Sequence, residues 1–187
     1  MISVEISARH VHLSKKDFKK LFGKNKNLTV LRRLSQPEEF ASGEKVILAN
    51  ADKKIKKVRI TGPFRENSQV EISLTDAYNL KLEPLPEIKV SEDISGTGKI
   101  LVKGPNSSVK IPCIIAQRHL HLSPEEAKKL KLKNNQKISV KVMGKRELTF
   151  HNIITRVSED YRLFLHLDTD EGNAAGILGK SSGELVE

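Results

Sequence analysis

The sequence predicts a mainly β protein: two small β-barrels with short capping α-helices, derived from an internal duplication. The segment SARHVHLS at 7–14 recurs as AQRHLHLS at 116–123, and such self-similarity marks a repeated structural unit. Each copy precedes one lysine-rich apolar stretch and several runs of alternating or β-branched residues, a period-two pattern typical of strands. Strands without βαβ alternation favour small barrels over a doubly wound sheet.

One short helix is predicted after each copy of the repeat, over 15–23 and 124–132. Ser123, Pro124 and Glu126 supply a capping serine, a first-turn proline and a glutamate three residues after the cap. Ser14 with Asp17 gives a weaker form of the same signal.

The strands are predicted from TVLRRL, KVILA, VRITG and QVEIS in the first half, and from KISVKV, ELTFHNIITRV and RLFLHL in the second. Segment 84–106, with three prolines and three glycines, is interpreted as the connection between the duplicated units. These limits predict a first barrel over 9–115 and a second over 116–187.

Composition narrows the function classes. No apolar run reaches the roughly 20 residues of a membrane helix, no secretory signal is visible, and a single cysteine, Cys113, excludes an intrachain disulfide. The net charge of +10 indicates either solvated lysine-rich faces or attraction of a phosphate-bearing ligand. Aromatic residues are only 4%, which gives few stacking platforms. We therefore expect neither a nucleic acid nor a membrane as partner.

Two histidine pairs are the first candidate site. Residues i and i+2 of a strand point to the same face, so His10 with His12, and His119 with His121, can each present two imidazoles side by side. Neutral imidazole is a common ligand for zinc and other first-row metals. The alternative is that duplication copied a structural strand-to-helix junction.

His166 is the candidate third ligand beside His119 and His121, because three protein ligands and an open position are the pattern of a catalytic metal site. The acidic residues that follow, Asp168, Asp170 and Glu171, either orient ligand histidines or cap the next turn. His151, on a strand without a partner motif, is predicted to be structural.

Arg65 and Glu71 lie in GPFRENSQVE, where a Gly-Pro turn exposes the arginine and a strand carries the glutamate. A guanidinium suits bidentate recognition of phosphate, and a carboxylate can complete a zinc shell. On the residues alone, both side chains could equally be ordinary surface groups.

These segments together resemble the PduL-type phosphate acyltransferases. The two histidine motifs in order, GPFRENSQVE and HLDTDEGNAAG carry the resemblance, which runs over about 2–177. It implies an enzyme that interconverts acyl-CoA (acetyl- or propanoyl-CoA) plus phosphate with acyl phosphate plus CoA. It also implies two β-barrels, with the opening strand at 1–8 completing the second, and a site between them with two zinc ions.

By position, the resemblance implies two zinc-binding sets of three side chains, namely His10, His12 and Glu71 near the CoA sulfur, and His119, His121 and His166 with a water. It makes Arg65 the catalytic, phosphate-binding arginine. Arg9 and Arg118 are candidates for substrate binding, and the lysine surplus matches the phosphates of CoA. Where many relatives have alanine, this chain has Gly172, which we expect to loosen the turn after His166.

The resemblance further implies a cytoplasmic enzyme, because the amphipathic extension of microcompartment-targeted relatives is not seen before the first strand. The family also implies a homodimer or larger homo-oligomer. Two other functions stay open on the residues. One is a two-metal hydrolase acting on a thioester or phosphorylated substrate. The other is a basic β-barrel module that binds RNA through its lysines.

Overall fold

The computed structural model describes residues 1–186, which contain fourteen strands and four short helices. The strands are β1 (Ile2–Ile6), β2 (His10–His12), β3 (Val30–Arg33), β4 (Phe40–Asn50), β5 (Lys53–Gly62), β6 (Gln69–Ile72), β7 (Ile88–Lys89), β8 (Lys99–Lys103), β9 (Ser108–Ala116), β10 (His119–Leu122), β11 (Lys137–Val142), β12 (Leu148–Val157), β13 (Phe164–Leu167) and β14 (Ser181–Val186). The helices are α1 (Lys15–Phe22), α2 (Leu74–Asn79), α3 (Pro124–Leu130) and α4 (Thr169–Ala174).

The chain divides into two compact units, each with its own core. The His10 unit comprises 9–34 and 38–116. The His119 unit comprises 1–8, 35–37 and the described chain from Gln117 onward. No helix among residues 1–186 is long and apolar enough to span a bilayer.

The His10 unit is a closed barrel of six strands in the order β4, β5, β2, β6, β9 and β8, because β8 pairs with both β9 and β4. Strand β3 extends from β4 and β7 from β9. The interior is filled by fully buried side chains that include Leu13, Phe18, Leu48 and Ile60. Buried and more exposed residues alternate over 45–48 of β4 and 58–60 of β5, as the period-two pattern predicts. Register shifts in the β4–β5 pair accompany the less regular remainder.

The His119 unit is a second closed barrel, in the order β1, β13, β10, β12, β11 and β14. Its pairings repeat those of the first barrel. Strand β10 lies parallel to β12 and antiparallel to β13, as β2 lies parallel to β5 and antiparallel to β6. The predicted fold class, two small barrels from a duplication, is therefore confirmed.

The strands that directly precede the two histidine motifs are exchanged between the barrels. Strand β1, before the first motif, pairs parallel to β13 of the His119 unit. Strand β9, before the second motif, pairs parallel to β6 of the His10 unit.

The connection predicted over 84–106 contains a barrel strand, which corrects the sequence interpretation. Strand β8 closes the first barrel through antiparallel pairing with β9 and β4. Its alternation of buried and exposed residues spans only five positions, between turns at Gly98 and Gly104. The flanking turn residues therefore dominated the prediction.

Both predicted helices are present, and two further helices were missed. Helices α1 and α3 begin at the caps expected, Ser14 and Ser123. The missed helices α2 and α4 have six residues each, too few to display a helical period. Each nevertheless opens with a reciprocal capping box, built on Ser73 and on Asp168.

Candidate functional site

Two histidines and a glutamate converge in the His10 unit, and we call this set the His10 triad. His10 lies directly opposite Glu71 across the antiparallel pair β2–β6, while His12 lies two residues along on the same face. The Nε2 atoms of His10 and His12 are 3.0 Å apart. Glu71 Oε2 is 3.8 Å from the Nε2 of His10, and Glu71 Oε1 is 3.8 Å from that of His12.

This geometry fits a small divalent cation. The three ligand atoms lie within 4.8 Å of one another, and tetrahedral zinc with bonds near 2.0–2.1 Å spaces its ligand atoms about 3.3 Å apart. Two imidazole nitrogens in contact either share one proton or face one ion. The triad can therefore hold a zinc-type ion after small adjustments of its side chains.

Burial keeps His12 in the form that binds metal. Its pKa lies well below the ordinary value because the ring is buried, and the charges of His10 and Arg65 lower it further, against an opposing contact with the Thr61 backbone. A neutral imidazole offers a lone pair without first losing a proton. The buried ring therefore stays neutral and keeps a lone pair that can bind a metal.

Glu71 is fixed by Gln69 of the same GPFRENSQVE segment and by Ser91, which no sequence motif indicated. Its Oε1 accepts hydrogen bonds from the Ser91 hydroxyl at 2.6 Å and the Gln69 amide at 2.8 Å. The side-chain Oε1 of Gln69 accepts in turn from the Glu92 backbone N–H at 2.8 Å. This chain of contacts orients the carboxylate, the outer-shell support that metal ligands commonly have.

Arg65 stands beside the triad, anchored by its backbone N–H to the Leu13 carbonyl at 3.0 Å. Its guanidinium donates to the Ser91 hydroxyl at 2.9 Å, and Nη1 is 4.0 Å from Glu71 Oε1. It also approaches the carboxylates of Glu39 at 3.5 Å and Glu92 at 3.8 Å. The structure thus brings the predicted arginine and the predicted glutamate together through one serine.

A cavity of about 400 Å³ opens at this arginine. Its lining residues are Arg65, Glu66, Asn67, Gln69, Glu92 and Ile94. It is large enough for a small anionic group, and the guanidinium is the cation in its wall.

The His119 unit gathers His119, His121 and His166, which we call the His119 trio. His119 lies opposite His166 across β10–β13, and the ring centroids are 4.6 Å apart for His119 and His121, 5.2 Å for His119 and His166, and 4.8 Å for His121 and His166. His119 Nδ1 is 2.8 Å from the Gln117 carbonyl. Because only an N–H can bind a carbonyl, the lone pair is on Nε2.

Tyr161 is a further residue of this site that the sequence did not indicate. Its ring stacks on His121 with centroids 4.1 Å apart and planes inclined by 10°. The Arg156 guanidinium lies 5.6 Å from the centre of the Tyr161 ring. The stack holds the His121 imidazole in one orientation.

Arg9 and Arg118, which precede the two histidine pairs, form matching ion pairs. Arg9 Nε is 2.7 Å from Asp76 Oδ2, and Arg118 Nη1 is 3.0 Å from Glu171 Oε1. Asp76 and Glu171 are the third helical residues of α2 and α4, where each completes a capping box. Arg9 therefore links the first histidine motif to α2, which follows Glu71. Arg118 links the second motif to α4, which follows His166.

Asp168 and Glu171, two of the acidic residues after His166, cap helix α4 in this structure. Asp168 Oδ1 accepts from the Glu171 backbone N–H at 2.8 Å, and Glu171 Oε2 accepts from the Asp168 N–H at 3.0 Å. Burial raises the pKa of both carboxyls. Gly172, expected to loosen this turn, lies buried in α4, where an added Cβ would come within 2.5 Å of Ile6 Cδ1.

His151 and Cys113 belong to neither the His10 triad nor the His119 trio. His151 is exposed on β12, with Nδ1 2.7 Å from the Ser139 hydroxyl. Cys113 is a buried free thiol of the first core, and burial raises its pKa to about 12.

Comparison with known proteins shows the family of this chain. The family model described as phosphate propanoyltransferase matches residues 3–178. A phosphate propanoyltransferase of Clostridioides difficile is 42% identical, over 100% of this chain and 89% of the relative. One from Thermotoga maritima is 40% identical over 99% of this chain and 87% of the relative. One from Alkaliphilus metalliredigens is 35% identical over 100% and 88%. The chain belongs to the phosphate propanoyltransferase family.

Proposed function

We propose that this acyltransferase exchanges the acyl group of acetyl- or propanoyl-CoA between CoA and inorganic phosphate, with zinc bound by its histidine sets. The main observation behind the proposal is that the Ser91 hydroxyl accepts a hydrogen bond from Arg65 and donates one to Glu71. A phosphate-binding cation and a metal ligand are thereby held within one hydrogen-bonded group. The names of the relatives support the same reaction.

Phosphate binding is the task assigned to Arg65. Its side chain is only 20% exposed, whereas the Glu92 side chain 3.8 Å away is 63% exposed. An incoming phosphate can therefore displace Glu92 into solvent and take its place on the guanidinium. Arginine's planar fork then offers two parallel hydrogen bonds to the phosphate, while the Ser91 contact keeps the guanidinium in position.

Fixing phosphate in the cavity converts a reaction between two dissolved molecules into one between bound groups, which removes much of the entropic barrier. Zinc held by His10, His12 and Glu71 would supply Lewis acidity at the thioester and stabilise the CoA thiolate. Cys113 takes no part as a nucleophile, because its thiol is buried and burial raises its pKa to about 12. We assign the attack on the thioester to the phosphate held by Arg65.

We assign the second zinc of each chain to His119, His121 and His166. The Gln117 carbonyl and the Tyr161 ring hold two of these imidazoles, and such outer contacts are typical of metal ligands. A role of Arg9 and Arg118 in binding CoA or phosphate stays a prediction, as do the cytoplasmic location and the homodimer or larger homo-oligomer. The ion pairs to Asp76 and Glu171 support a positioning role for both arginines.

The deciding experiment follows free thiol released from acetyl-, propanoyl- and butanoyl-CoA, with and without inorganic phosphate, alongside direct measurement of acyl phosphate. We expect thiol release to require phosphate and to match acyl phosphate formation one to one. Protein stripped with a chelator should lose the activity and recover it with Zn²⁺. Equal thiol release without phosphate would identify a thioester hydrolase instead. Activity that survives complete metal removal would contradict the zinc assignment.

A further inference from the structure

A row of three side chains crosses the His119 barrel from β1 through β13 to β10. Glu5 is in register with His166, and His166 is in register with His119. Glu5 Oε2 lies 3.7 Å from His166 Nε2. This oxygen is buried and accepts no hydrogen bond from any residue in 1–186, although 36% of the Glu5 side chain is exposed.

The matching row of the His10 barrel has a different first member. There Ile114 of β9 is in register with Glu71, and Glu71 with His10. Ile114 is fully buried. The His119 barrel therefore places the carboxylate of Glu5 beside His166. The His10 barrel places the apolar side chain of Ile114 at the matching position beside Glu71.

The difference follows the chemistry of that third member. A carboxylate such as Glu71 binds a metal through either oxygen, and Gln69 and Ser91 already orient it. A histidine must carry its proton on one ring nitrogen and its lone pair on the nitrogen that faces the metal. An acceptor beside the ring selects the tautomer, and His119 already has one in the Gln117 carbonyl at 2.8 Å.

We propose that Glu5 is a positioning residue of the His119 metal centre, whose carboxylate accepts the Nε2–H of His166 and so makes Nδ1 the metal-binding nitrogen. This inference rests on the proposed metal binding by the His119 trio. Strands β1 and β10 flank β13 on opposite sides. Because the two nitrogens of an imidazole point to different sides of the ring, Nε2 facing Glu5 turns Nδ1 away from β1.

A small movement of the Glu5 side chain would complete its hydrogen bond with His166. The present 3.7 Å exceeds the roughly 3.0 Å of a hydrogen bond, and polar contacts of this kind tighten when a site is filled. The Glu5 side chain is 36% exposed and so has the freedom for such a shift, which a fully packed side chain would lack. The buried oxygen then gains the partner that its burial requires.

The test measures Co²⁺ and Zn²⁺ affinity by competition with a chelator, in the full-length chain carrying His12→Ala to silence the other centre. We expect Glu5→Ala to bind metal about 10–100-fold more weakly, the usual cost of losing an outer-shell partner. Glu5→Gln keeps an acceptor oxygen and should lose less. Glu125→Gln removes the same charge from an exposed position of α3 in the same unit and should change nothing.

The absorption spectrum of the Co²⁺-loaded protein separates positioning from direct ligation. Loaded Glu5→Ala should keep the spectrum of its parent, because the ligand set is unchanged. A spectrum altered in band intensity would overturn the positioning role by placing Glu5 in the metal shell, and an affinity within twofold of the parent would overturn any role. His119→Ala tests the centre itself, since unchanged affinity there would refute metal binding by the trio whatever Glu5 does. Circular dichroism of each metal-free variant checks its fold, and Glu5→Gln serves if Glu5→Ala does not fold.

Discussion

His166 and Glu71 occupy the same register position in their two barrels. His166 lies opposite His119 across β10–β13, and Glu71 lies opposite His10 across β2–β6. The duplication therefore kept the position of the third side chain and changed its chemistry. A histidine set and a histidine–carboxylate set differ by one negative charge, so the two proposed metals would differ in Lewis acidity.

The shared register predicts that the third position tolerates either ligand. Glu71→His should retain metal in the His10 unit, because its imidazole starts from the same strand position that His166 uses. Glu71→Ala should weaken metal binding by more than the roughly 10–100-fold cost of an outer-shell change. Zinc content after chelator challenge measures both, with exposed Glu38→Ala as the control. Equal zinc content in Glu71→Ala and the unaltered chain would contradict the assignment of Glu71.

Much of this fold could be predicted from the sequence because short, local sequence patterns mark both copies of the duplicated unit. The His-x-His pairs, the alternating strands and the caps at Ser14 and Ser123 can each be recognised from a few consecutive residues. The contacts of Ser91 and Tyr161 depend instead on loops brought back by barrel closure. No short-range pattern marks these two residues, since Ser91 meets Glu71 from 20 positions away.

The acidic residues of α2 and α4 likewise carry no local signal that marks them as partners of the arginines. Asp76 and Arg9 are 67 positions apart and meet only because β6 pairs with β2. The pairing of Arg118 with Glu171 repeats this arrangement, and either pair alone could be taken for a chance contact. Their occurrence at matching positions of both barrels indicates a common role.

We predict that Arg118→Ala destabilises the His119 unit and loosens its histidines. Glu171 is 21% exposed, so removing its cation leaves a largely buried carboxylate without that ion pair. The cost is about 1–3 kcal/mol of unfolding free energy, measured by urea denaturation of metal-free protein. Arg118→Lys should recover part of the loss, and exposed Lys137→Ala should cost little. If Arg118→Ala raises the KM for CoA substrates with no loss of stability or metal affinity, substrate binding is the better assignment.

We predict that Arg65→Ala impairs the use of phosphate more than the use of acyl-CoA. A hydrogen-bonded charge pair contributes about 1.5–3 kcal/mol, which corresponds to a roughly 10–150-fold rise in the KM for phosphate. Zinc content should stay near that of the unaltered chain, because Glu71 keeps its contacts with Gln69 and Ser91. Exposed Arg33→Ala is the charge-matched control. An unchanged KM for phosphate would remove Arg65 from the proposed mechanism.

The metal-free protein should lose stability as the pH falls below the ordinary pKa of histidine. Burial, together with the charges of His10 and Arg65, holds the pKa of His12 well below 6.5 in the native state. Below pH 6.5 the unfolded chain therefore takes up a proton at His12 that the native chain does not, and unfolding is favoured by at most about 1.4 kcal/mol per pH unit from this residue. Urea denaturation at pH 7.5, 6.5 and 5.5 measures the slope, and His12→Gln should flatten it. Bound zinc should also flatten the slope until protons displace the metal. An identical slope in the metal-free unaltered chain, the zinc-loaded chain and the His12→Gln variant would show that the loss of stability arises elsewhere.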